Sequence, residues 1–292
     1  MRKPSPATRL AAGLAIVYVV WGSTFLAIRF ALEGLPPLLM SALRNGIAGL
    51  LLLAWLRWRG AAWPTPRQWR NGVLVGFVML SVGSGVVALA EQSVPSGLAA
   101  LVVASSPVFA IMFGAFFGAW PRRLEVSGVV VGLAGMGLLQ GDVHVAASPV
   151  GFALLVLAAA AWALASVLQP RLDMPAGTLS AGVQLLGGGA CLALMSALRG
   201  ERWPAQVPMQ SWLALAYLVF FGSIVAYTAF VYVVAHARPA LATSFAYVNP
   251  VVAVALGVLL GGETVSWPIV AGMTVILAGV GLVMIGSARR SA

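Results

Sequence analysis

Few side chains in this sequence can carry charge or move a proton, and those few are unevenly placed. Arg44 lies a turn or two inside the apolar run from Leu38 to Leu56, with Asn45 beside it. An arginine in such a segment is costly to leave unpaired and marks a functional site by default. Its candidate partners are Glu33 and Glu91, both at run ends, and the three would form a gate or latch. Snorkelling of Arg44 to lipid headgroups is the competing reading. Arg29, four residues before Glu33, competes for the same carboxylate along one helix. No Asp, Glu or His stands in the middle of any apolar run, and His144 and His236 fall in connections. The chain has no H-E-x-x-H, no deep histidine to activate a serine and no paired aspartates within the runs, so metal, serine and aspartyl chemistry lack their parts. The chain is expected not to be an enzyme, and no metal or cofactor is implied. Cys191, the single cysteine, cannot form an internal disulfide.

The remaining polar groups are uncharged and interleaved with aromatics. Helical spacing aligns Tyr18, Trp21 and Phe25 in the first run, with Thr24 adjoining. It also aligns Phe77, Ser81, Ser84 and Ala88 in the third, and Trp162, Ser166 and Gln169 in the sixth. Tyr217, Ile224, Tyr227 and Val231 align in the eighth run, and Thr243 and Tyr247 in the ninth. Gln184 and Asn249 are costlier to bury than hydroxyls unless hydrogen-bonded. Together these faces predict a cavity for a small amphipathic molecule, held by hydrogen bonds and aromatic contacts. Close helix packing through Ser and Gly, and interfacial anchoring through Trp and Tyr, are the competing roles. Pro107 and Pro250 sit inside apolar runs, where proline frees the carbonyl four residues earlier, on Val103 and Ala246. Kinks there would expose backbone carbonyls to a substrate ammonium; packing is the alternative.

The elements that must position these groups are membrane spans. Of 292 residues, 61% are hydrophobic and 8% charged, which excludes a water-soluble globule, since average usage is about 25% charged. With about 20 residues per spanning helix, ten runs are found: Ala11 to Ala31, Leu38 to Leu56, Gly72 to Leu89, Leu98 to Phe117, Leu124 to Leu139, Val150 to Leu168, Leu179 to Leu198, Trp212 to Tyr232, Leu241 to Leu260 and Trp267 to Ile285. The first is expected to be a retained span, not a signal peptide. The net charge of +10 does not point to nucleic acid, because the basic residues lie in short connections. With the N-terminus inside, Arg2, Lys3, Arg9, Arg57, Arg59, Arg67, Arg70, Arg122, Arg123, Arg171, Arg238, Arg289 and Arg290 all fall on the cytoplasmic side. That is the distribution the positive-inside rule requires, and it places both termini in the cytoplasm.

An internal repeat is also legible. Ser106-Pro107-Val108 matches Asn249-Pro250-Val251, and Leu133-Ala134-Gly135-Met136-Gly137 matches Leu277-Ala278-Gly279-Val280-Gly281. Pro107 and Pro250 are 143 residues apart, Gly135 and Gly279 are 144 apart, and Trp21 is echoed more weakly by Trp162. The expected architecture is an all-α membrane protein of two five-helix repeats, 1–141 and 142–292, forming one domain. Five spans per repeat is an odd number, so the second half enters from the opposite side. Inverted repeats with a midplane site recur in secondary transporters.

Over nearly its whole length the chain resembles the EamA-type drug/metabolite transporter superfamily, and within it the YddG-like amino-acid exporters. The resemblance is carried by Trp21-Gly22-Ser23-Thr24-Phe25, by Arg44 after Pro36 and Pro37, by Gly97 to Pro107, and by Pro250 to Glu263-Thr264 and Gly272. Where that family often has a glutamate 13 residues after the proline, as Glu263 follows Pro250, the first half has Trp120. The resemblance implies export of amino acids from the cell across a bacterial inner membrane. The uncharged faces fit an aromatic or other large neutral amino acid moved by alternating access, and the lack of a carboxylate within the spans argues against obligatory proton coupling. A proton-coupled drug carrier or a nucleotide-sugar carrier is the alternative, the latter wanting several convergent cationic groups. A channel lacks its ring of charges. The expected partners are a small-molecule substrate and the bilayer. The glycines Gly128, Gly132, Gly135, Gly272 and Gly279 leave monomer and homodimer both open.

Overall fold

The computed structural model describes residues 6–118, 120–138, 148–236 and 245–288. Among them the regular structure is entirely helical. Helix starts follow local chemistry. Pro37, Pro66 and Pro149 each open a helix, where a missing N–H is harmless and the fixed φ suits the first turn. At Thr65 a reciprocal cap forms: its hydroxyl accepts from Gln68 N at 3.2 Å, and Gln68 Oε1 accepts from Thr65 N at 3.1 Å. The third helix therefore begins at Pro66, six residues before the hydropathy alone would start it. Ser148 caps the sixth by accepting from Gly151 N.

The described helices group into the rods α1 (Thr8–Leu32), α2 (Pro37–Trp58), α3 (Pro66–Ala90), α4 (Ser96–Phe116), α5 (Arg123–Leu138), α6 (Pro149–Leu168), α7 (Gly177–Leu198), α8 (Met209–Tyr217, Leu218–Val225 and Ala226–His236 in continuation), α9 (Phe245–Gly261) and α10 (Trp267–Ala288). Among the described residues seven are long and apolar enough to cross a membrane, and parts of α9 and α10 add shorter apolar helices.

Among the described residues, three rods contain π-helical stretches. Val17–Trp21 in α1, Phe77–Gly85 in α3 and Leu218–Val225 in α8 are π-helical, with i→i+5 hydrogen bonds. Such stretches are rare and frequent at functional sites. They change the angular step per residue, so the single-period faces expected of the third and eighth runs do not hold through them. Ser81 is fully buried, Ser84 half-buried and Phe77 exposed.

α1 packs on α8 and α9, α6 on α3 and α4, α2 on α7, and α5 on α10. Two of these pairs meet backbone to backbone. A methyl group at Gly279 would sit 2.5 Å from Gly132 N, and one at Gly49 would sit 2.4 Å from Leu186 N. Gly132, Gly135 and Gly279 are thus used inside the fold, in the α5–α10 contact. The buried apolar residues form two large clusters. One, around Trp21, Met40, Met79, Leu185 and Leu218, joins α1, α2, α3, α7 and α8. The other, around Leu98, Leu155, Ile269 and Ile276, joins α4, α6 and α10.

Candidate functional site

Where α1, α6, α8 and α9 converge, Trp21 is the hub. At the end of the α1 π segment it is buried, and its ring meets Trp162 edge-on at 6.0 Å, Tyr227 at 6.3 Å, Phe230 at 4.9 Å and Phe245 edge-on at 5.2 Å. Its indole N–H donates to Gly222 O at 3.2 Å. Tyr227 then joins the aromatics to a polar chain. Its hydroxyl donates to Gln184 Oε1 at 2.8 Å, with Met79 Sδ at 3.5 Å, and Gln184 Nε2 donates to Ser180 Oγ at 2.8 Å. Gln184 is 1% exposed, so this network links α7 and α8 away from water. Asn249, with its amide nitrogen facing two carbonyls, donates to Phe245 O at 3.3 Å and Tyr18 O at 3.2 Å. The second of these ties α9 to the π segment of α1. Trp21, Trp162, Gln184, Tyr227 and Asn249 are therefore gathered around one uncharged centre.

Other expected residues take different places. Thr24 Oγ1 donates to Trp21 O in its own helix at 2.6 Å. Ser81 Oγ donates to Gly188 O at 2.9 Å and joins α3 to α7, the packing role of a small hydroxyl. Ser166 is exposed, and its hydroxyl returns to Trp162 O at 2.8 Å. Ser84 is half-buried. Thr243 lies outside the described residues, as does the side chain of Tyr247.

The prolines act differently in the two halves. α4 is broken, not merely kinked: Ser96–Val103 ends, and Ser106–Phe116 begins with Pro107 in its first turn. Ser105 Oγ donates to Val102 O and Ser106 Oγ to Val103 O, both at 2.6 Å. The carbonyl on Val103 thus receives a neighbouring hydroxyl in place of the backbone N–H that proline lacks, which corrects the expectation of a bare acceptor. α9 continues through Pro250 as one helix.

A crevice of about 560 Å³ opens between α8 and α9 with α1 as its floor. Leu26, Phe30, Leu213, Leu256 and Leu260 line it. So do Gln210 and the hydroxyls of Ser23 and Tyr217, which are 2.6 Å apart.

The charged groups of the expected gate also rearrange. Arg29 pairs with Glu263 at 2.7 Å, not with Glu33. Glu263 is the better partner because its carboxylate also accepts from Ser96 N at 2.9 Å, Ser96 Oγ at 2.6 Å and Gly97 N at 3.1 Å, at the start of α4. A carboxylate is favoured there by the unpaired N–H groups of the helix. Burial pushes the Glu263 carboxyl up, but these hydrogen bonds and the one from Arg29 outweigh it and hold it below its ordinary value. Glu33, just past the end of α1, is exposed and forms no ion pair among the described residues, so it does not meet Arg44. Arg44 Nε donates to Ser223 Oγ of α8 at 2.9 Å, in a space kept open by Gly222, where a methyl group would lie 3.2 Å from Arg44 Nη2. Glu91, one residue past α3, is 7% exposed, and neither of its oxygens has a hydrogen-bond partner among the described residues. A second carboxylate cap was missed in the sequence. Glu201 accepts from Leu38 N at 3.2 Å and Leu39 N at 2.8 Å at the start of α2. Its pairing spans more than 160 residues of chain, and no local signal marks it. Among the described residues no group of three or more His, Cys, Asp or Glu is gathered for a metal ion.

The sequence profile of the EamA-like transporter family matches residues 9–140 and again 149–285. The chain belongs to this family. It is 43% identical over 254 residues to the inner membrane transporter YedA of Escherichia coli K12, covering 87% of this chain and 83% of that one. A more distant relative, from Salmonella typhimurium, carries the description "Probable amino-acid metabolite efflux pump". It is 28% identical over 299 residues, with 95% of each chain covered. A solved crystal structure superposes with a TM-score of 0.65 at 23% identity, covering 97% of this chain and all of the other, a likeness of fold. The protein is a multi-pass transporter of the inner membrane, and YedA, like the family profile, is described as a transporter.

Proposed function

We propose that this protein exports small amphipathic metabolites, foremost aromatic and other large neutral amino acids, by alternating access. The observation that carries this reading is the uncharged centre where α1, α6, α8 and α9 meet. There Trp21, Trp162, Tyr227, Phe230 and Phe245 supply apolar faces, and Gln184 and Asn249 supply hydrogen bonds. Such a lining suits a solute with a ring or branched body and one polar end. The amino-acid assignment draws on the family resemblance and on the relative described as an amino-acid metabolite efflux pump.

Ten spans in two inverted halves, 1–141 and 142–292, with both termini cytoplasmic, form the scaffold. Three facts support this. The same family profile matches twice. The helix pairings also map onto themselves when α1 to α5 are exchanged for α6 to α10: α1 on α8 and α9 becomes α6 on α3 and α4, while α2–α7 and α5–α10 return themselves. The π stretches of α3 and α8 fall at corresponding positions. A site on the pseudo-two-fold axis is presented to each side in turn as one half rocks against the other.

Cycling proceeds without obligatory proton exchange, since the centre carries no carboxylate. The test is uptake by purified protein in liposomes across a panel of amino acids, with and without an imposed pH gradient. Counterflow of phenylalanine, tryptophan or leucine in the absence of a gradient is expected. Transport of organic cations alone, or uptake of zwitterions only when a pH gradient is imposed, would overturn the reading.

A further inference from the structure

Four charged groups stand together where the end of α3 meets α1, α2 and the residue pair following α9. Two of them satisfy each other: Arg29 and Glu263 are paired, and Glu263 has three further donors. The other two do not. Arg44 spends its Nε on a neutral serine, and Glu91 is more than nine-tenths buried with both oxygens unpartnered among the described residues. A bare carboxylate in that position is far costlier to bury than a neutral acid. Either a proton or a cation must therefore answer it, and Arg44 is the cation at hand.

We infer that Glu91 is a proton-binding site: in the arrangement seen here it carries a proton, and it gives that proton to water and pairs with Arg44 when this end of the bundle opens. In that step the carboxyl O–H bond breaks and its electron pair stays on oxygen. The proton leaves to solvent, and the carboxylate takes hydrogen bonds from Arg44 Nη. Closing reverses each event. The groups facing Glu91 are Arg29 on α1, Arg44 on α2 and Glu263 after α9. α4 and α6 contribute no titratable side chain. Burial raises the Glu91 carboxyl well above its ordinary range and Glu263 adds to this, while Arg29 and Arg44 oppose it. The inference rests on the alternating-access reading above. It also keeps that reading intact, because a proton taken and returned on one side of the membrane modulates opening without being carried across.

The carboxyl itself is the probe. Infrared difference titration of the reconstituted full-length protein follows the C=O stretch of protonated carboxyls from acid to alkaline pH. A band that persists to neutral pH in the wild type and in Glu33→Gln, and is missing in Glu91→Gln, is expected. Should Glu91→Gln fail to accumulate, Glu91→Asp must shift the band and its midpoint. Opening is read separately by the rate at which a water-soluble maleimide labels an Ala42→Cys variant in a Cys191→Ser background, Ala42 being buried on α2 near Arg44. Labelling should accelerate several-fold as the band disappears, and should lose its pH dependence when Glu91→Gln is added. Absence of a Glu91-dependent band above the ordinary carboxylate range overturns the proposal. So does labelling that ignores pH while the band titrates. If both readouts hold while every amino acid of the panel fails to move, the substrate assignment falls and the proton site stands.

Discussion

Single side chains in this transporter divide by what they touch. Tyr227→Phe removes the donor to Gln184 Oε1 and leaves a buried acceptor unanswered, a loss of about 1–3 kcal/mol. A fall in thermal midpoint with transport of large neutral amino acids weakened is expected, and pairing it with Gln184→Leu should recover part of the stability, because both polar partners are then gone. For Arg44→Ala, normal membrane yield with strongly reduced transport is the expected result; normal yield together with normal transport would remove it from any gate. Glu263 carries a pH signature whose sign follows from its lowered carboxyl. The stability it contributes is complete above the ordinary value of 4.5 and disappears as pH falls through the lower, folded one. Thermal midpoints of the wild type should therefore drop on acidification in that window, and those of Glu263→Gln should start lower and stay flatter.

At the scale of elements, the break in α4 and the π stretches in α1, α3 and α8 are the places where helices can change shape without unfolding. In α4, Ser105 and Ser106 supply the hydroxyls that take over Val102 O and Val103 O beside Pro107. Restoring the N–H with Pro107→Ala allows the two segments to join, and the measurement is turnover against yield: slower exchange at unchanged yield marks a working hinge, unchanged exchange a packing feature. The α5–α10 contact is less forgiving. Gly279→Leu drives a side chain into the backbone of Gly132; overpacking of this kind costs about 1–3 kcal/mol or more, and loss of folded protein from the membrane is the expected outcome.

For the whole molecule, orientation and pseudo-symmetry are the properties to test. In a Cys191→Ser background, Arg59→Cys should label only from the cytoplasmic face and Arg202→Cys only from the other. The reverse pattern would invert the proposed topology and place the Glu91 site on the cytoplasmic side. The basic connection between α2 and α3 is well suited to its expected face, since Arg57 and Arg59 lie over Trp63 and Trp55 at 5.9 and 5.2 Å, an interfacial arrangement of cations and aromatics.

Hydropathy was enough to specify a helical multi-pass membrane protein, because lipid forces every span to declare itself locally as an apolar run; the family came from the resemblance carried by Trp21 to Phe25, Arg44, Gly97 to Pro107 and Pro250 to Thr264. Trp21, Trp162, Gln184, Tyr227 and Asn249 could be picked from the same runs, since aromatics and amides are conspicuous there. Which of them touch was decided only by the tertiary structure. The π stretches shift angular register in a way no fixed period anticipates, so the one face expected of Phe77, Ser81 and Ser84 divides into an exposed, a buried and a half-buried position. Charge pairing was likewise nonlocal. Arg29 chose Glu263, 234 residues away, over Glu33, four away, because only Glu263 also meets the open N–H groups of α4. The unanswered carboxyl of Glu91 exists only once α1, α2 and α3 have closed around it.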